Sequence, residues 1–331
     1  MIGRRRLVSG FACAIGSAAL AQVPRRTYRI GYIGLTAKNS ADDERIFAAF
    51  IHRLGELGFV VGTNLIIDWR FAEGKNERYA EFAKEMRDKG VDLVVGNSTA
   101  ARAVVDVGGN IPVVMFGVID PVGTGLVASF AHPGGQVTGM SGFSGDLVPK
   151  QIELLKAAAP GVTKIALSRC PECGRLSGLS TASIEAAFDS YRERARSLGL
   201  SAITLDINAV TDFPAAVSVI KSEGANGVLL LPQQMNAKLR DDWVAFEAEQ
   251  RIPVITGYRG LGCLLSYGPD AAAMFRRMAE MVVQILNGAK PGDLALEQPT
   301  KLEFVVDLKV ARAIGLTIPQ SALLRADDVI S

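Results

Sequence analysis

Four polar residues in the first half of the chain have the types and positions needed to bind a small ionic solute. Asn97, Ser98 and Thr99 follow an apolar strand pattern and begin a helical one. Hydroxyls and free backbone N–H groups would point outward together there, which suits a carboxylate. The alternative is that Ser98 or Thr99 is an N-cap, and the two roles can coexist. Asp120 follows the next strand and could pair with an ammonium group, or could instead cap a helix over residues 122–130.

Three aromatic residues lie in or beside segments expected to connect the halves of the molecule. Phe143, Tyr258 and Tyr267 could hold a flat ligand between their ring faces. For Phe143, packing inside a hinge is the favoured alternative. We therefore predict an aromatic contribution to the site from these three residues, with at least one of the two tyrosines near the ligand.

Basic and amide side chains follow predicted strands in the second half of the chain. Arg169 and Arg259 could each hold a carboxylate with two hydrogen bonds, although an exposed arginine is often simply solvated. Gln233 and Gln234 follow the most apolar predicted strand and could supply amide contacts. Arg169 and Gln233 are our candidates for the second wall of the site.

The cysteines and histidines do not have the spacing of a metal site. Cys170 and Cys173 could form a disulfide in an oxidising compartment, whereas a redox-active pair would normally open a helix in a thioredoxin-like unit. Cys263 is expected to be a buried small apolar residue. Zinc would need two more close ligands, and His52 and His132 fall in the other half of the fold. We predict no metal and no cofactor.

The first 21 residues have the pattern of a secretory signal peptide. Three arginines at positions 4–6 precede an apolar run over 7–20, and residues 19–21 read Ala-Leu-Ala. The alternatives are a buried N-terminal helix, a lipoprotein signal at Cys13 and twin-arginine export. We predict cleavage after residue 21 and a soluble, monomeric protein in the periplasm, because no later segment is long and apolar enough to span a bilayer.

Charge and motif content exclude several functional classes. The formal charge is +2, from 36 basic and 34 acidic residues, and removal of residues 1–21 takes away three arginines and leaves −1. Nucleic acid is therefore not an expected partner. The sequence has no Walker lysine loop, no nucleophile elbow and no paired catalytic carboxylates in a suitable context. The prediction is a protein that binds and is not an enzyme.

Short β-rich runs alternate with helical patterns from residue 28 onward, and the alternation restarts near residue 164. Such alternation indicates βαβ units and parallel sheets. The predicted fold class is α/β, with two doubly wound parallel-sheet lobes joined by three hinge crossings. The expected strands are 29–34, 65–69, 92–95, 112–116, 164–167, 202–205, 227–231 and 252–255.

Glycine-rich stretches at 141–145, 257–262 and 288–292 are interpreted as the three crossings. Glycine tolerates the backbone rotation that a hinge requires, although each stretch alone could be a surface turn. The resulting division assigns residues 27–142 and 262–290 to the first lobe. It assigns residues 143–261 and 291–331 to the second.

Seven short motifs occur in a characteristic order along the chain. They are 120–123 (DPVG), 125–127 (GLV), 132–139 (HPGGQVTG), 266–270 (SYGPD), 298–301 (QPTK), 313–319 (AIGLTIP) and 325–330 (RADDVI). Together they resemble the ABC transporter substrate-binding proteins of the group that includes the tryptophan and tyrosine receptors. The resemblance covers essentially the whole mature chain.

This resemblance implies a type I periplasmic-binding-protein fold that closes on its ligand, with an ABC permease and an ATPase as partners at the membrane. The sequence departs from the family at His132, where arginine is common, and at Gln136, where asparagine is common. In the second-lobe loop, residues 168–173 (SRCPEC) replace a short Asn-Pro turn. That change weakens the inference that this chain binds the family's aromatic amino-acid ligand.

The predicted function is capture of a small organic solute, an amino acid or an aromatic carboxylate, for an ABC importer. Two other functions fit parts of the sequence. One is an extracytoplasmic sensor that presents its ligand to a membrane kinase, and the other is an exported thiol redox enzyme that uses Cys170 and Cys173. Genes for a permease and ATPase beside this one would favour import, whereas a kinase gene would favour sensing.

Overall fold

The computed structural model describes residues 26–35, 41–73, 75–118, 120–142, 147–176, 180–231 and 234–331. The described strands form one sheet of five strands and one of seven. They are β1 (Tyr28–Gly34), β2 (Leu65–Phe71), β3 (Leu93–Asn97), β4 (Val113–Val118), β5 (Val137–Ser141), β6 (Lys164–Arg169), β7 (Ser201–Asp206), β8 (Gly227–Leu230), β9 (Val254–Thr256), β10 (Leu265–Pro269), β11 (Leu302–Asp307) and β12 (Asp328–Ile330). The helices are α1 (Ala41–Glu56), α2 (Glu77–Asp88), α3 (Ser98–Val107), α4 (Val148–Ala158), α5 (Pro171–Leu176), α6 (Thr181–Ser197), α7 (Phe213–Ser222), α8 (Gln234–Lys238), α9 (Arg240–Gln250), α10 (Ala271–Leu286), α11 (Leu308–Ile314) and α12 (Gln320–Leu323).

The first lobe is built on the five-stranded sheet, in the order β2-β1-β3-β4-β5, with every neighbouring pair parallel. Helices α1 and α10 cover one face, where Phe50 and Met278 are buried. Helices α2 and α3 cover the other, where Met86 and Val104 are buried. Because both faces are covered, the central strands are apolar runs rather than alternating ones.

The second lobe is built on the seven-stranded sheet, in the order β12-β11-β10-β9-β8-β6-β7. All neighbouring pairs are parallel except β10 with β11, which the sequence prediction of parallel sheets did not include. Side chains of α4, α6, α11 and α12 bury one face, including Ile152 and Phe188. Side chains of α7, α8 and α9 bury the other around Trp243.

The chain passes between the lobes at three places. The first lies between Ser141 at the end of β5 and Val148 at the start of α4. The second is the junction of β10 with α10, where Asp270 caps the helix by accepting from the N–H of Ala273 at 3.1 Å. The third lies between residue 297, which bridges to β5, and the start of β11.

Two of the predicted crossings and the lobe boundaries need correction. Residues 257–262 connect β9 with β10, and both strands belong to the second lobe. Residues 288–292 stay with the first lobe, where the N–H of Gly134 donates to the carbonyl of Gly292 at 3.1 Å. Sheet membership is decided by pairing between distant strands, so glycine content could not locate the crossings.

The helix expected over residues 122–130 does not form, and the segment consists of turns and bends. Gly125 adopts a φ of +67°, a conformation that interrupts a right-handed helix. Asp120 accepts from the N–H of Gly123 at 2.8 Å, which closes a tight turn. Asp120 therefore caps a turn, and not the helix that the alternative interpretation had expected.

Candidate ligand-binding cleft

The carboxyl ends of the strands in the two sheets face each other across a cleft. Helix α4 leads back to β6, so its first residue, Val148, lies at the carboxyl edge of the second sheet, close in the chain to the end of β5. Asp42 in the first turn of α1 lies 3.4 Å from Arg259, which follows β9. Ligands of open α/β sheets bind outside these carboxyl ends. The cleft is therefore the place to search for the site.

The amino end of α3 presents unpaired donors at the first wall. Asn97 is the N-cap, since its Oδ1 accepts from the N–H of Ala100 at 2.9 Å, and its Nδ2 donates to the Tyr79 hydroxyl at 2.8 Å. The hydroxyls and backbone N–H groups of Ser98 and Thr99 have no hydrogen-bond partner within the described part of the chain. Both residues are half-buried. Asn97 thus supports the turn, while Ser98 and Thr99 carry the open donors.

A glycine before this turn allows α3 to start close to the sheet. A Cβ at Gly96 would lie 2.6 Å from the Cβ of Ala100 and 3.0 Å from the carbonyl oxygen of Ile33. Any side chain there would push the first turn of α3 away from β1. Gly96 therefore fixes where the donors of Ser98 and Thr99 stand.

Asp120 lies at the same edge, beyond β4, and is half-buried. Its turn is tied to α3 because the guanidinium of Arg102 donates to the carbonyl of Thr124. One oxygen of Asp120 accepts from Gly123, as described above. The first wall thus places a carboxylate just beyond β4, the strand next to the one that leads into α3.

Arg169 in the second wall is engaged within its own lobe. Its guanidinium forms ion pairs with Asp206 and, at 2.7 Å, with Glu185. It also lies over the ring of Phe188, with 5.4 Å from Cζ to the ring centroid. The hydrogen bond to Asp206 raises the pKa of Arg169. Two carboxylates already neutralise this arginine, so it is not free to hold a ligand carboxylate in this structure.

The two candidate tyrosines have different surroundings. Tyr258 follows β9 and is 45% exposed, and its N–H donates to the Thr256 hydroxyl at 3.2 Å. Tyr267 lies within β10 and packs against the apolar core of the second lobe, and burial raises its pKa. Its carbonyl accepts from the Gln151 side chain at 2.8 Å. Tyr258 is therefore available to a ligand, whereas Tyr267 is part of the packing of the second lobe.

Phe143 and Gln233 lie outside the described residues. Asn236 in α8 is a residue that the sequence analysis missed. The Asn236 amide donates to the carbonyl of Leu231 at 2.7 Å and to the Ser168 hydroxyl at 2.9 Å, and it accepts from the Trp243 indole at 3.2 Å. This buried network joins the ends of β6 and β8 to α9.

An aromatic cluster at the first wall was also missed. The rings of Tyr32 and Trp69 are 4.8 Å apart, and those of Trp69 and Phe71 are stacked at 6.5 Å with 7° between their planes. Phe71 ends β2, and both it and Phe116 on β4 are half-buried. The alternation of Trp69 and Phe71 on one strand face was a signal that could have found this cluster.

Cys170 and Cys173 form a disulfide at the carboxyl end of β6. Cys170 is only 2% exposed and directly precedes α5, whose first turn contains Cys173, and the N–H of Glu172 donates to the side chain of Asn208 at 2.9 Å. Cys263 is a buried free thiol, as expected, and burial raises its pKa. Where the sequence left the state of the pair open, the structure shows it bonded.

Across the ranges given above, no helix has the length and apolar character to cross a membrane. Nor does that part of the chain bring together three His, Cys, Asp or Glu side chains that could hold a metal ion. A cavity of about 590 Å³ lies beside the third passage rather than at the strand ends, and Phe130 and Gln298 line it. Its carboxylate, Glu297, is paired with Arg277 at 2.6 Å, so the cavity has no free charge to offer there.

Comparisons with known proteins agree with this architecture. Residues 39–330 match the family model described as ABC transporter substrate binding protein. A tyrosine-binding protein of Clostridioides difficile is 25% identical over 297 residues, covering 88% of this chain and 82% of the relative. A solved ABC domain in complex with L-Trp from Streptococcus pneumonia is 25% identical, covers 92% of this chain and 100% of its own, and superposes with a TM-score of 0.76.

A conserved domain protein from Vibrio cholerae has the same TM-score of 0.76 at 24% identity, with the same 92% and 100% coverage, and shows the shared fold. The two lobes, the three passages and the facing carboxyl edges are those of a type I periplasmic-binding protein. The match to the family model extends over nearly all of the described residues. The chain belongs to the ABC transporter substrate-binding protein family.

Proposed function

We propose that this protein is the periplasmic receptor of an ABC importer and captures an amino acid or an aromatic carboxylate between its lobes. The closed complex would deliver the solute to a permease and an ATPase at the membrane. Capture and release require no bond to be made or broken, so the proposed protein is not an enzyme. Export rests on the signal-peptide pattern of residues 1–21, which lie outside the described part of the structure.

The observation that carries the proposal is the open amino end of α3. Two hydroxyls and two backbone N–H groups, from Ser98 and Thr99, lack partners in the described part of the chain and stand at the positive end of a ten-residue helix. Such a group of donors favours an anion, and a carboxylate fits it geometrically. Asp120, just beyond the neighbouring strand β4, is the matching partner for an ammonium group. Together they suit a zwitterionic amino acid.

The aromatic part of the proposal rests on the edge of the first sheet and on Tyr258 of the second lobe. Half-buried Phe71 and Phe116 and exposed Tyr258 are large apolar surfaces near the cleft. Aromatic side chains of a ligand gain from such surfaces through burial and ring contacts. The tyrosine-binding relative and the solved relative in complex with L-Trp make these two amino acids the first ligands to test.

The experiment is calorimetric titration of the protein lacking residues 1–21 with four related compounds. L-Trp and L-Tyr keep both charges, tryptamine lacks the carboxylate, and indole-3-acetate lacks the ammonium group. We expect an amino acid to bind and its amine analogue to bind at least about tenfold more weakly, because a charged hydrogen bond contributes roughly 1.5–3 kcal/mol. Failure of amino acids and aromatic carboxylates alike to bind the folded protein would reject the proposal. Equal affinity for L-Trp and tryptamine would reject the assigned role of α3.

A further inference from the structure

Seven charged side chains lie where α1 of the first lobe meets the second lobe. They are Asp42, Arg45, Arg259, Asp270, Lys301, Glu303 and Asp328, and we call them the interlobe charge cluster. Two belong to α1, three belong to the second lobe, and Asp270 and Lys301 stand on the passages between the lobes. The cluster borders the cleft, since Arg259 directly follows Tyr258, but it contains none of the residues assigned to the solute above.

Arg259 reaches from the second lobe to the first. Its Nε lies 3.4 Å from Asp42 on α1, while its Nη2 is bound to Asp328 at 2.5 Å and its Nη1 lies 3.6 Å from Glu303. The two contacts within the second lobe fix the guanidinium in place. The contact with Asp42 is the one that opening of the lobes would break.

Arg45 reaches in the opposite direction. It is held on α1 by a 2.9 Å hydrogen bond to Asp42, and its Nη2 lies 3.3 Å from Glu303 of the second lobe. Its Nη1 lies 3.5 Å from Asp270 on the second passage, where Lys301 also binds at 2.8 Å. Each lobe thus contributes an arginine that pairs with a carboxylate of the other lobe.

Several side chains of the cluster are largely buried and close together, so their charges interact strongly. The side chains of Glu303, Asp42 and Arg259 are only 10%, 14% and 19% exposed. Burial raises the pKa of Glu303, and Arg45 and Arg259 oppose that rise. The backbone is also close, since a Cβ at Gly260 would lie 3.2 Å from the Asp42 carboxylate. Partly buried pairs of this kind interact more strongly than pairs in bulk water.

We propose that the interlobe charge cluster is a latch that holds the lobes together before any solute arrives. Opening separates Asp42 and Arg45 from Glu303 and Arg259, so the closed arrangement gains two ion pairs that the open one lacks. The latch therefore sets the fraction of closed protein, and salt weakens it. The proposal extends the proposed function, because closure retains the solute, but it concerns the solute-free protein and can be tested without any ligand.

The experiment measures the distance between the lobes in the solute-free protein. Spin labels at Glu77→Cys and Ala182→Cys sit at the amino ends of α2 and α6, on opposite walls of the cleft, and both native residues are exposed. In protein lacking residues 1–21, and so lacking Cys13, labels attach selectively because the three remaining native cysteines are either disulfide-bonded or buried. Double electron–electron resonance then gives the distribution of distances for the labelled parent and for Arg45→Gln, Arg259→Gln and their combination.

The matched control is Arg70→Gln, which removes an arginine that pairs with Glu85 inside the first lobe. We expect the ratio of closed to open protein to fall about fivefold in each cluster variant, as for the loss of one favourable ion pair. The control should leave the distances of the parent unchanged. Raising NaCl from about 0.05 to 1 M should open the parent protein, because the screening length falls from above 10 Å to about 3 Å.

Two results would overturn the latch. One is a parent protein that is already open at low salt, or whose distances do not respond to salt. The other is a folded Arg45→Gln/Arg259→Gln variant with the same distances as the Arg70→Gln control at both salt concentrations. The salt series on the parent decides the matter even if the double variant does not fold. Neither result depends on which solute the protein binds.

Discussion

The two walls of the cleft differ in how their polar groups are used. At the first wall, the donors of Ser98 and Thr99 have no hydrogen-bond partner within the described part of the chain, and only Asn97 caps the helix. At the second wall, Arg169 is neutralised by two carboxylates and Asn236 makes three buried hydrogen bonds. A polar residue at a strand end is therefore not by itself a binding residue. What matters is whether its neighbours already satisfy it.

This difference suggests a division of labour between the lobes. The first wall would take the charged groups of the solute, because unpaired donors gain most from a ligand. The second wall would offer a rigid surface, since its disulfide and its buried amide network fix the loops that follow β6 and β8. Changes in the second wall should then affect stability more than binding, and changes in the first wall should do the reverse.

The largest expected effect is on stability, at Asn236. Replacing Asn236 with alanine leaves the buried Trp243 indole and Leu231 carbonyl without this partner, and the Ser168 hydroxyl keeps only the N–H of Leu231. Each buried unsatisfied group costs about 1–3 kcal/mol, so the free energy of unfolding should fall by about 3 kcal/mol or more. Urea denaturation measures this change.

Asn226→Ala is the matched control for Asn236. Asn226 also makes three hydrogen bonds, to the N–H groups of Thr163 and Lys164 and the carbonyl of Gly161, but it makes them at the surface. Water can replace them, so the loss should be clearly smaller. Equal losses in the two variants would show that the amide network of the second wall is not special.

The next effect is a pH dependence that arises in the second lobe. Burial raises the pKa of Glu247 from 4.5 to about 8, although its carboxylate accepts the N–H groups of Val254 and Leu264 at 2.7 and 3.0 Å. An acid with a higher pKa in the folded protein takes up a proton on folding between the two values. The free energy of unfolding should therefore fall as pH rises from about 4.5 to about 8, by at most about 1.4 kcal/mol per pH unit.

Glu247→Gln tests this assignment, because glutamine does not titrate. The variant should be less stable at pH 5, since its amide nitrogen cannot accept the second N–H. Its free energy of unfolding should also lose the part of the pH slope that Glu247 supplies. Urea melts at several pH values between 5 and 8 would contradict the assignment if the two proteins gave parallel curves.

The smallest effect is expected from the disulfide. Replacing Cys170 and Cys173 with serine should change solute affinity by no more than about threefold, which corresponds to about 0.6 kcal/mol. The buried network of Asn236 and the ion pairs of Arg169 still hold the end of β6 in that variant. Calorimetric titration checks the affinity. Complete loss of binding would show that this loop touches the solute and that the walls are less different than proposed.

Much of the α/β organisation could be predicted from sequence, because local patterns decide it. Strands β1 to β4 and β6 to β9 are short apolar runs between amphipathic helices, and they lie within a few residues of the predicted ranges. The passages between the lobes could not be located in this way. Strand β10 follows β9 closely and pairs with it. The chain therefore stays in the second lobe until Asp270, where a proline precedes the helix cap.

The same distinction applies to the site. Asn97, Ser98 and Thr99 were identified because a strand end and a helix start are adjacent in sequence. The roles of Arg169 and Asn236 depend on partners that are distant in the chain, such as Asp206 and Ser168, which are 37 and 68 residues away. No local pattern contains that information. Sequence analysis can therefore propose polar candidates but cannot say which of them are already satisfied.

The most direct test of the account is calorimetric titration of Ser98→Ala/Thr99→Ala with the amino acid that binds the parent protein best. We expect affinity to fall about tenfold or more, with a loss of stability of about 1 kcal/mol or less. Ser218→Ala/Ser222→Ala on α7, which removes two exposed helix hydroxyls outside the cleft, should bind like the parent. Unchanged affinity in a folded Ser98→Ala/Thr99→Ala protein would contradict the central claim that the first wall holds the carboxylate.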